Sequence, residues 1–577
     1  MLIYYIKVYQ NLKKHYIYRP HNYTMKKIIL ITLLPLITLL LHADPKREVR
    51  AVWLTTIGGL DWPKTKAQSP ISAEKQKQEL REILDKLQGA NINTILFQTR
   101  IRGTVIYPSA YEPFDSNITG INGQTPVYDP LAFAIEECHK RGMELHAWVV
   151  CMPLGDVKRK KTLGKTFIAN AQPSICKTYD RQLYLNPASE GARRHLARIC
   201  GEIATNYDVD GIHLDYIRYP DRPNSYPDEA EYRKSGKSMS KNNWRRNNIT
   251  QTVRAIRNAV KGCKPWIKLS CSPIGKFDNL PRQNAHGWCS FTTVYQDAQG
   301  WLRDDLMDEL YPMMYFQGEN FYPFAYDWKE NCSGRTIVAG LGIYMLHPSE
   351  KNWDLSTIER EMSVTRSIGI GHAMFRSKFF TDNTKGILDF SNRFYSAKAL
   401  HPASTWIDSI PPTVPSFINL CNNGSTLLWG VGSDNMPQAG IRYNIYASST
   451  YPVDTENADN LVATLVSGCS WDIPMELRGL NYAVRTIDRA GNESAPTATK
   501  EKVETPEPSV LLRVENGCIR LPNSKNALLK ITDIEGNVIK TITNKGSVNC
   551  KSLKCGMYVL RTFEKKGGSH IIGYFIL

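Results

Sequence analysis

Residues Tyr207-Asp208-Val209-Asp210-Gly211-Ile212-His213-Leu214-Asp215-Tyr216-Ile217-Arg218-Tyr219-Pro220 read as a short buried strand ending in a carboxylate, an aromatic ring and a guanidinium. A strand that leaves a core with such groups at its carboxyl end places charge where a ligand reaches it. Asp215 is on that ground the first candidate for chemistry. Asp210 lies five residues earlier, about 16 Å away along a strand that rises about 3.3 Å per residue, so the two aspartates do not share one reaction centre. Asp210 reads as a packing residue at the strand entrance, and His213 shares the face of Asp215 one layer deeper.

On either side of this stretch, from Val49 onward, short apolar runs alternate with amphipathic segments, the pattern of βα units on a parallel sheet. The runs predict strands at 49–56, 94–101, 144–150, 211–217, 267–272, 310–316, 336–344 and 372–379. The spacing of Leu80, Ile83, Leu84 and Leu87 marks the helix after the first strand. Asp129-Pro130 and Asn186-Pro187 open two more, with residue types suited to a cap and first turn. Further helices are predicted near 243–261, 297–307, 355–368 and 385–398. Eight such repeats in about 350 residues predict an α/β fold, a (β/α)8 TIM barrel with long loops. A doubly wound sheet would call for a Gly-rich first turn, and Thr55-Thr56-Ile57-Gly58-Gly59 matches that poorly.

A chain of 577 residues exceeds one ordinary core, so smaller domains are expected beside the barrel. Pro402, Pro411, Pro412 and Pro415 mark a stiff linker, after which short alternating segments follow. We expect residues 44–402 to form the barrel domain and 410–503 a β-sandwich of fibronectin type III character, with Tyr482 as its corner tyrosine. A second linker, Glu504-Thr505-Pro506-Glu507-Pro508, leads to a C-terminal all-β module at 509–577. Its ending, Leu553-Lys554-Cys555-Gly556-Met557-Tyr558-Val559-Leu560, is similar to the β-sandwich or sorting modules of secreted Bacteroidetes proteins.

Hydrophobic residues make up 42% of the chain and charged residues 22%, a globular balance, and the formal charge is +17. Residues 25–43, from Met25-Lys26-Lys27 through the apolar run 28–41 to Ala43, have the charged, apolar and small-residue regions of a secretory signal. Residues 1–24 are then an extension upstream of the true start. Residues 1–43 hold six Lys or Arg and no Asp or Glu, so the mature chain carries +11. A basic surface suits an anionic partner. No Gly-rich phosphate loop, zinc-finger spacing or aromatic-interleaved basic arm accompanies it, which points away from nucleic acid and leaves an anionic glycan, or a merely basic solvated surface without a ligand. The expected destination is the periplasm, surface or exterior of a Gram-negative bacterium, without membrane insertion once the signal is removed. The thirteen cysteines are scattered and none forms Cys-x-x-Cys, so neither a metal nor a cofactor is expected from them. Cys550 and Cys555 stand close enough in sequence for a local disulfide.

Side chains at the carboxyl ends of barrel strands face the site. On that rule Arg100, Arg102, His146, Trp148, His213, Tyr216, Arg218, Tyr315 and Arg376 join Asp215 as candidate substrate-binding residues. Rings stack on sugar faces while Arg and carboxylate groups fix hydroxyls and acids, which is what a glycan site needs. Glycoside cleavage also calls for a second carboxyl group. Asp297, after the fifth strand, and Glu319, after the sixth, are the candidates for the acid, with Asp215 as nucleophile or base. The competing reading makes Asp297 a helix N-cap and Glu319 a loop charge. A separation from Asp215 of about 5 Å predicts retention of configuration, and about 6.5–9.5 Å inversion.

Glu48-Val49-Arg50-Ala51-Val52-Trp53-Leu54-Thr55, Gln98-Thr99-Arg100, Asp129-Pro130-Leu131, the run from Arg141 to Trp148, that from Val209 to Pro220, Ser272-Pro273-Ile274-Gly275 and the segment from Asp297 to Tyr315 occur in that order. Together they resemble the glycosyl-hydrolase-10-like family of bacterial secreted (β/α)8 proteins, over residues 46–400. The resemblance implies a glycosidase, and characterised members of that family act on peptidoglycan strands stripped of their stem peptides. Such strands expose the lactyl carboxylate of each muramic acid, which would give Arg100, Arg102 and Arg218 an anionic partner. The chain departs from the family pattern in having a single aspartate at Leu214-Asp215-Tyr216, and Val149-Val150-Cys151-Met152-Pro153 where many members have a Phe-Asn-Pro strand end. Cleavage of a dietary or host polysaccharide, and glycan binding without catalysis, are the competing functions. An N-acetylated sugar would also allow a substrate-assisted route, with Asp215 orienting the acetamido group.

Overall fold

Runs that are apolar on both faces become strands covered on both faces, by helices outside and by side chains inside. In the computed structural model they are Arg50–Leu54 (β1), Thr94–Arg100 (β2), Glu144–Val150 (β3), Gly211–Asp215 (β4), Lys268–Cys271 (β5), Glu309–Leu310 (β6), Thr336–Leu341 (β7) and Gly371–Met374 (β8). All pairings are parallel, each strand lies beside its neighbour in sequence, and β1 pairs with β8 to close the barrel. The outer ring is Pro70–Gly89 (α1), Pro130–Lys140 (α2), Glu190–Asn206 (α3), Lys241–Cys263 (α4), Ala298–Arg303 (α5), Tyr322–Glu330 (α6), Leu355–Ser367 (α7) and Ile387–Phe394 (α8). The structure describes residues 44–236, 238–499, 510–521, 528–533, 537–543, 546–554, 556–563 and 569–577. The segments expected at 1–24 and 25–43, the linker at 504–508 and Cys555 of the expected disulfide lie outside these residues. Among the described residues no helix is long and apolar enough to cross a membrane.

Alternation along β1 shows how the two faces are filled. Val52 and Leu54 join the core shared with the helices, whereas Ala51 and Trp53 join Leu96, Trp148, Tyr311 and Val338 inside the barrel. The sixth and eighth strands differ most from expectation. In the sixth, Pro312 supplies no N–H to a ladder, so β6 stops at Leu310 and Met313 makes only single bridges to Ile274 and Gly340. In the eighth, the chain leaves the sheet after Met374 and Ser377–Thr381 coils into a helical turn.

At the amino end of the barrel Lys268 donates to both oxygens of Glu144 at 2.8 Å, and His146 Nε2 lies 3.0 Å from the same carboxylate. Asp210 is part of this floor: it accepts from Leu145 N at 2.8 Å and Arg489 Nη1 at 2.7 Å, and pairs with His139 Nε2 at 2.9 Å. Arg489 belongs to the β-sandwich that follows. Ile418–Cys421 (β9), Thr426–Trp429 (β10) and Ser470–Asp472 (β13) form one antiparallel sheet. Arg442–Ser448 (β11), Leu461–Val466 (β12), Asn481–Ile487 (β14) and Thr497–Ala498 (β15) form the other, and Leu427, Trp429, Ile445 and Val484 pack between them. Arg489 also pairs with Asp208, and Thr464 Oγ1 donates to Gly142 O at 3.2 Å. Gly142 has φ +68, and a Cβ there would stand 2.5 Å from Thr464 O, so a side chain at this position would pry the sandwich off the barrel floor. Two further sheets follow from Val510, a five-stranded mixed one in which Val510–Leu511 runs parallel to Ser569–Ile576, and a three-stranded antiparallel one.

Among the described residues, a buried carboxyl group in the helix layer has no partner. Both carboxylate oxygens of Glu361 on α7 are enclosed without a donor, and burial pushes its pKa from 4.5 up to about 9. A carboxyl raised in the folded state costs nothing below pH 4.5, where both states are protonated, and destabilises increasingly as pH rises toward 9. Glu361→Met, close in volume, is therefore expected to raise stability by about 3 kcal/mol at pH 8 and to change it little at pH 4. Urea unfolding at the two pH values measures the difference.

Candidate active site

Asp215 is the last residue of β4, at the carboxyl end of the barrel, where it is 6% exposed. In register it stands beside Val150, while His213 stands beside Trp148 one level down. The Trp148 indole reaches up that level and donates Nε1 to Asp215 Oδ2 at 3.1 Å. Tyr216 adopts φ +49, a left-handed turn that folds its own N–H back onto Oδ1 at 2.7 Å. Ser272, just past β5, donates Oγ to the same oxygen at 3.1 Å. Burial raises the Asp215 pKa; Arg218, the Tyr216 N–H, Ser272 and Trp148 pull it down and do not fully offset the desolvation. The result is a positioned carboxyl group that holds its proton more readily than an exposed aspartate.

Around it the mouth is aromatic and cationic. Tyr216 and Trp288 are 40% and 38% exposed, and the Arg218 guanidinium lies 4.5 Å and 5.4 Å from their ring centres. Arg218 pairs with exposed Asp221, and its buried Nε has no partner. On the other side Tyr315 packs against Phe375 at 5.4 Å and Tyr344 at 5.7 Å between centroids. Burial and the Asp215 charge push the Tyr315 hydroxyl well above its ordinary range, so it remains a donor. Arg102 is exposed, and its charge acts on Tyr184 and Tyr216 at the rim.

A family model described as Glycosyl hydrolase-like 10 matches residues 48–347. The chain belongs to the glycosyl hydrolase-like 10 family. It is accordingly a glycoside hydrolase, built on a (β/α)8 barrel. Over 413 residues it is 31% identical to Glycosyl hydrolase YngK of Bacillus subtilis (strain 168), covering 67% of this chain and 80% of that protein. Over 289 residues it is 31% identical to Glycosyl hydrolase DigH of Escherichia coli (strain K12), covering 47% of this chain and 66% of that protein. The PgaB (BpsB) glycoside hydrolase domain from Bordetella bronchiseptica aligns with 61% of this chain and 99% of its own, at 14% identity and a TM-score of 0.44. The glycosyl hydrolase-like 10 match takes in Asp215, Arg218, Trp288 and Tyr315 and ends before β8 and Phe375, the residue that follows it.

Within this glycosyl hydrolase-like 10 barrel the candidate residues divide. Trp148, Tyr216, Arg218 and Tyr315 gather around Asp215, with Arg102 at the rim. Arg100 does not join them: it is wholly buried, donating Nε and Nη2 to Glu112 at 2.7 and 2.6 Å and Nη1 to the carbonyls of Val150 and Cys151. His146 and His213 are also wholly buried, the first on Glu144, the second between Trp53 Nε1 at 3.2 Å and Ser270 Oγ at 3.0 Å. Burial and His146 hold the His213 pKa well below its ordinary range, so it is a neutral core residue. Arg376 is bound to Asp61. Asp297 caps α5, accepting from Gly300 N at 3.1 Å; burial raises its pKa, and the charges acting on it come from Arg303, Arg246 and Asp304. Glu319 lies exposed in the turn Gly318–Asn320 on the loop after β6. Trp288, Tyr344 and Phe375 were not expected at the site, and Ser272 stood only in the quoted motif Ser272-Pro273-Ile274-Gly275. Ser272 was discernible from its place at a strand end, whereas Trp288 sits in a loop where no periodicity marks it.

Proposed function

We propose that this glycoside hydrolase is secreted and cleaves N-acetylated, anionic glycan strands, peptidoglycan freed of its peptides being the substrate class that suits it best. The observation that carries the reading is the grouping at one mouth of a proton-holding carboxyl, Asp215, with a cation, Arg218, set between two open rings, Tyr216 and Trp288. Rings take the pyranose faces, and Arg218 with Arg102 meets the sugar carboxylates. The net positive charge and the family resemblance support the same choice.

Asp215 acts as general acid, passing its proton to the glycosidic oxygen as the C1–O bond breaks. With Asp297 occupied in capping a helix and Glu319 exposed on its loop, the sugar's own acetamido oxygen attacks C1 from the opposite face. Water then opens the cyclic intermediate, giving a proton back to Asp215. The module at 410–503 is read as fibronectin type III-like, supported by its two antiparallel sheets and by Tyr482, whose hydroxyl donates to Leu477 O at 2.5 Å as a corner tyrosine does.

Release of reducing ends tests the proposal. Denuded peptidoglycan glycan should be cleaved; the same strands with N-acetyl groups removed should lose turnover, and those with lactyl carboxyls reduced should show a raised KM. Binding without release of reducing ends would sink the catalytic reading. Faster cleavage of a plant or host polysaccharide would sink the choice of substrate.

A further inference from the structure

Three aspartates from separate segments converge where the interdomain linker meets the β-sandwich. One carboxylate oxygen from each of Asp408, Asp434 and Asp488 lies within 4.8 Å of the others. Asp408 comes from the linker, Asp434 from the loop after β10, and Asp488 from the turn after β14. Asp408 and Asp488 are 7% and 4% exposed. Like charges this close and this dry repel strongly unless something positive joins them. Among the described residues no Lys or Arg pairs with any of the three, and neighbouring Arg489 turns away to Asp208 and Asp210.

Two enclosed oxygens make the arrangement more than an acidic patch. Asp408 Oδ1 accepts from Ile410 N at 2.9 Å and Asp434 Oδ2 from Met436 N at 3.0 Å, whereas Asp408 Oδ2 and Asp434 Oδ1 are buried with no donor. Asp488 is fixed by Asn492, which donates its backbone N–H at 2.9 Å and its Nδ2 at 2.8 Å, and the same Nδ2 holds Asp408 O at 2.9 Å. Oxygens bound to one Ca2+ ion at about 2.3–2.6 Å lie within about 5 Å of one another, which the observed spacing satisfies. An all-oxygen set drawn from three protein segments suits Ca2+ better than Mg2+, which keeps most of its waters.

We propose that Asp408, Asp434 and Asp488 form a Ca2+ site that fastens the linker to the β-sandwich and so steadies its seat beneath the barrel. The full chain, freed of metal with EDTA, should bind one Ca2+ by equilibrium dialysis against about 1 mM CaCl2, and its melting temperature should rise with added Ca2+. Asp434→Asn should weaken binding at least about tenfold, because ligand charge sets affinity in such sites. The variant also relieves the repulsion, so in EDTA it should melt above the parent and in saturating CaCl2 below it, an inversion that faulty folding would not produce. No bound Ca2+, undiminished binding by the variant, or a constant order of melting would overturn the site. Equal binding of MgCl2 would overturn its assignment to calcium. Cleavage of glycan plays no part in these readouts.

Discussion

Asp215→Asn is expected to lower kcat/KM on the cleaved glycan by about 10²–10⁴-fold, the usual contribution of a positioned general acid. The amide can keep the bonds from Tyr216 and Ser272 through its oxygen, but it cannot pass a proton to the leaving group. Its NH2 also meets the Trp148 N–H as a second donor, which adds a stability cost of about 1–2 kcal/mol. Loss of rate beyond what that cost explains is the diagnostic result, so thermal melting and binding of the intact strand are measured alongside. In the parent, rising pH strips the proton from Asp215 through its raised pKa, so kcat/KM falls on the alkaline side. The variant's residual rate should lack that limb. Near-parental activity in Asp215→Asn would remove this carboxyl from the mechanism.

Arg100→Met should cost about 3–5 kcal/mol of stability and leave KM where it was. The guanidinium is the partner of Glu112, whose carboxylate also holds His195 Nε2 at 2.8 Å, so its loss strands a buried charge. Burial alone would raise Glu112; Arg100 and His195 overcome it and bring the pKa from 4.5 down to about 2. A depressed carboxylate stabilises the fold above pH 4.5, and that stability drains away as pH falls toward 2. The deficit of Arg100→Met should accordingly be widest near neutrality and shrink in acid, as chemical unfolding across pH would record. A raised KM with unchanged stability would instead return Arg100 to the ligand.

That contrast shows how far the sequence could be read. The barrel was legible because strands buried on both faces leave continuous apolar runs, and Asp215 because a carboxylate ending such a run has little reason to be there for packing. Arg100 was misplaced by the rule that side chains at the carboxyl ends of barrel strands face the site. The register shifts between Gln98 and Arg100, so the strand re-aims its final side chain into the loop structure behind Glu112. Asp297 illustrates a different limit: an aspartate before a helix has the same local pattern whether it caps or catalyses, and only its hydrogen bond to Gly300 separates the two. His213 was correctly placed in the layer below Asp215, yet its neutrality follows from total enclosure among residues distant in sequence. Trp288 completes the mouth through a loop whose course no periodicity encodes.

The sandwich holds the barrel by its floor, through Arg489 on Asp208 and Asp210 and through Thr464 against Gly142. The sheets therefore act as a pedestal, with the reactive opening on the far side from its support. A ligand can thus reach that opening without passing the sandwich.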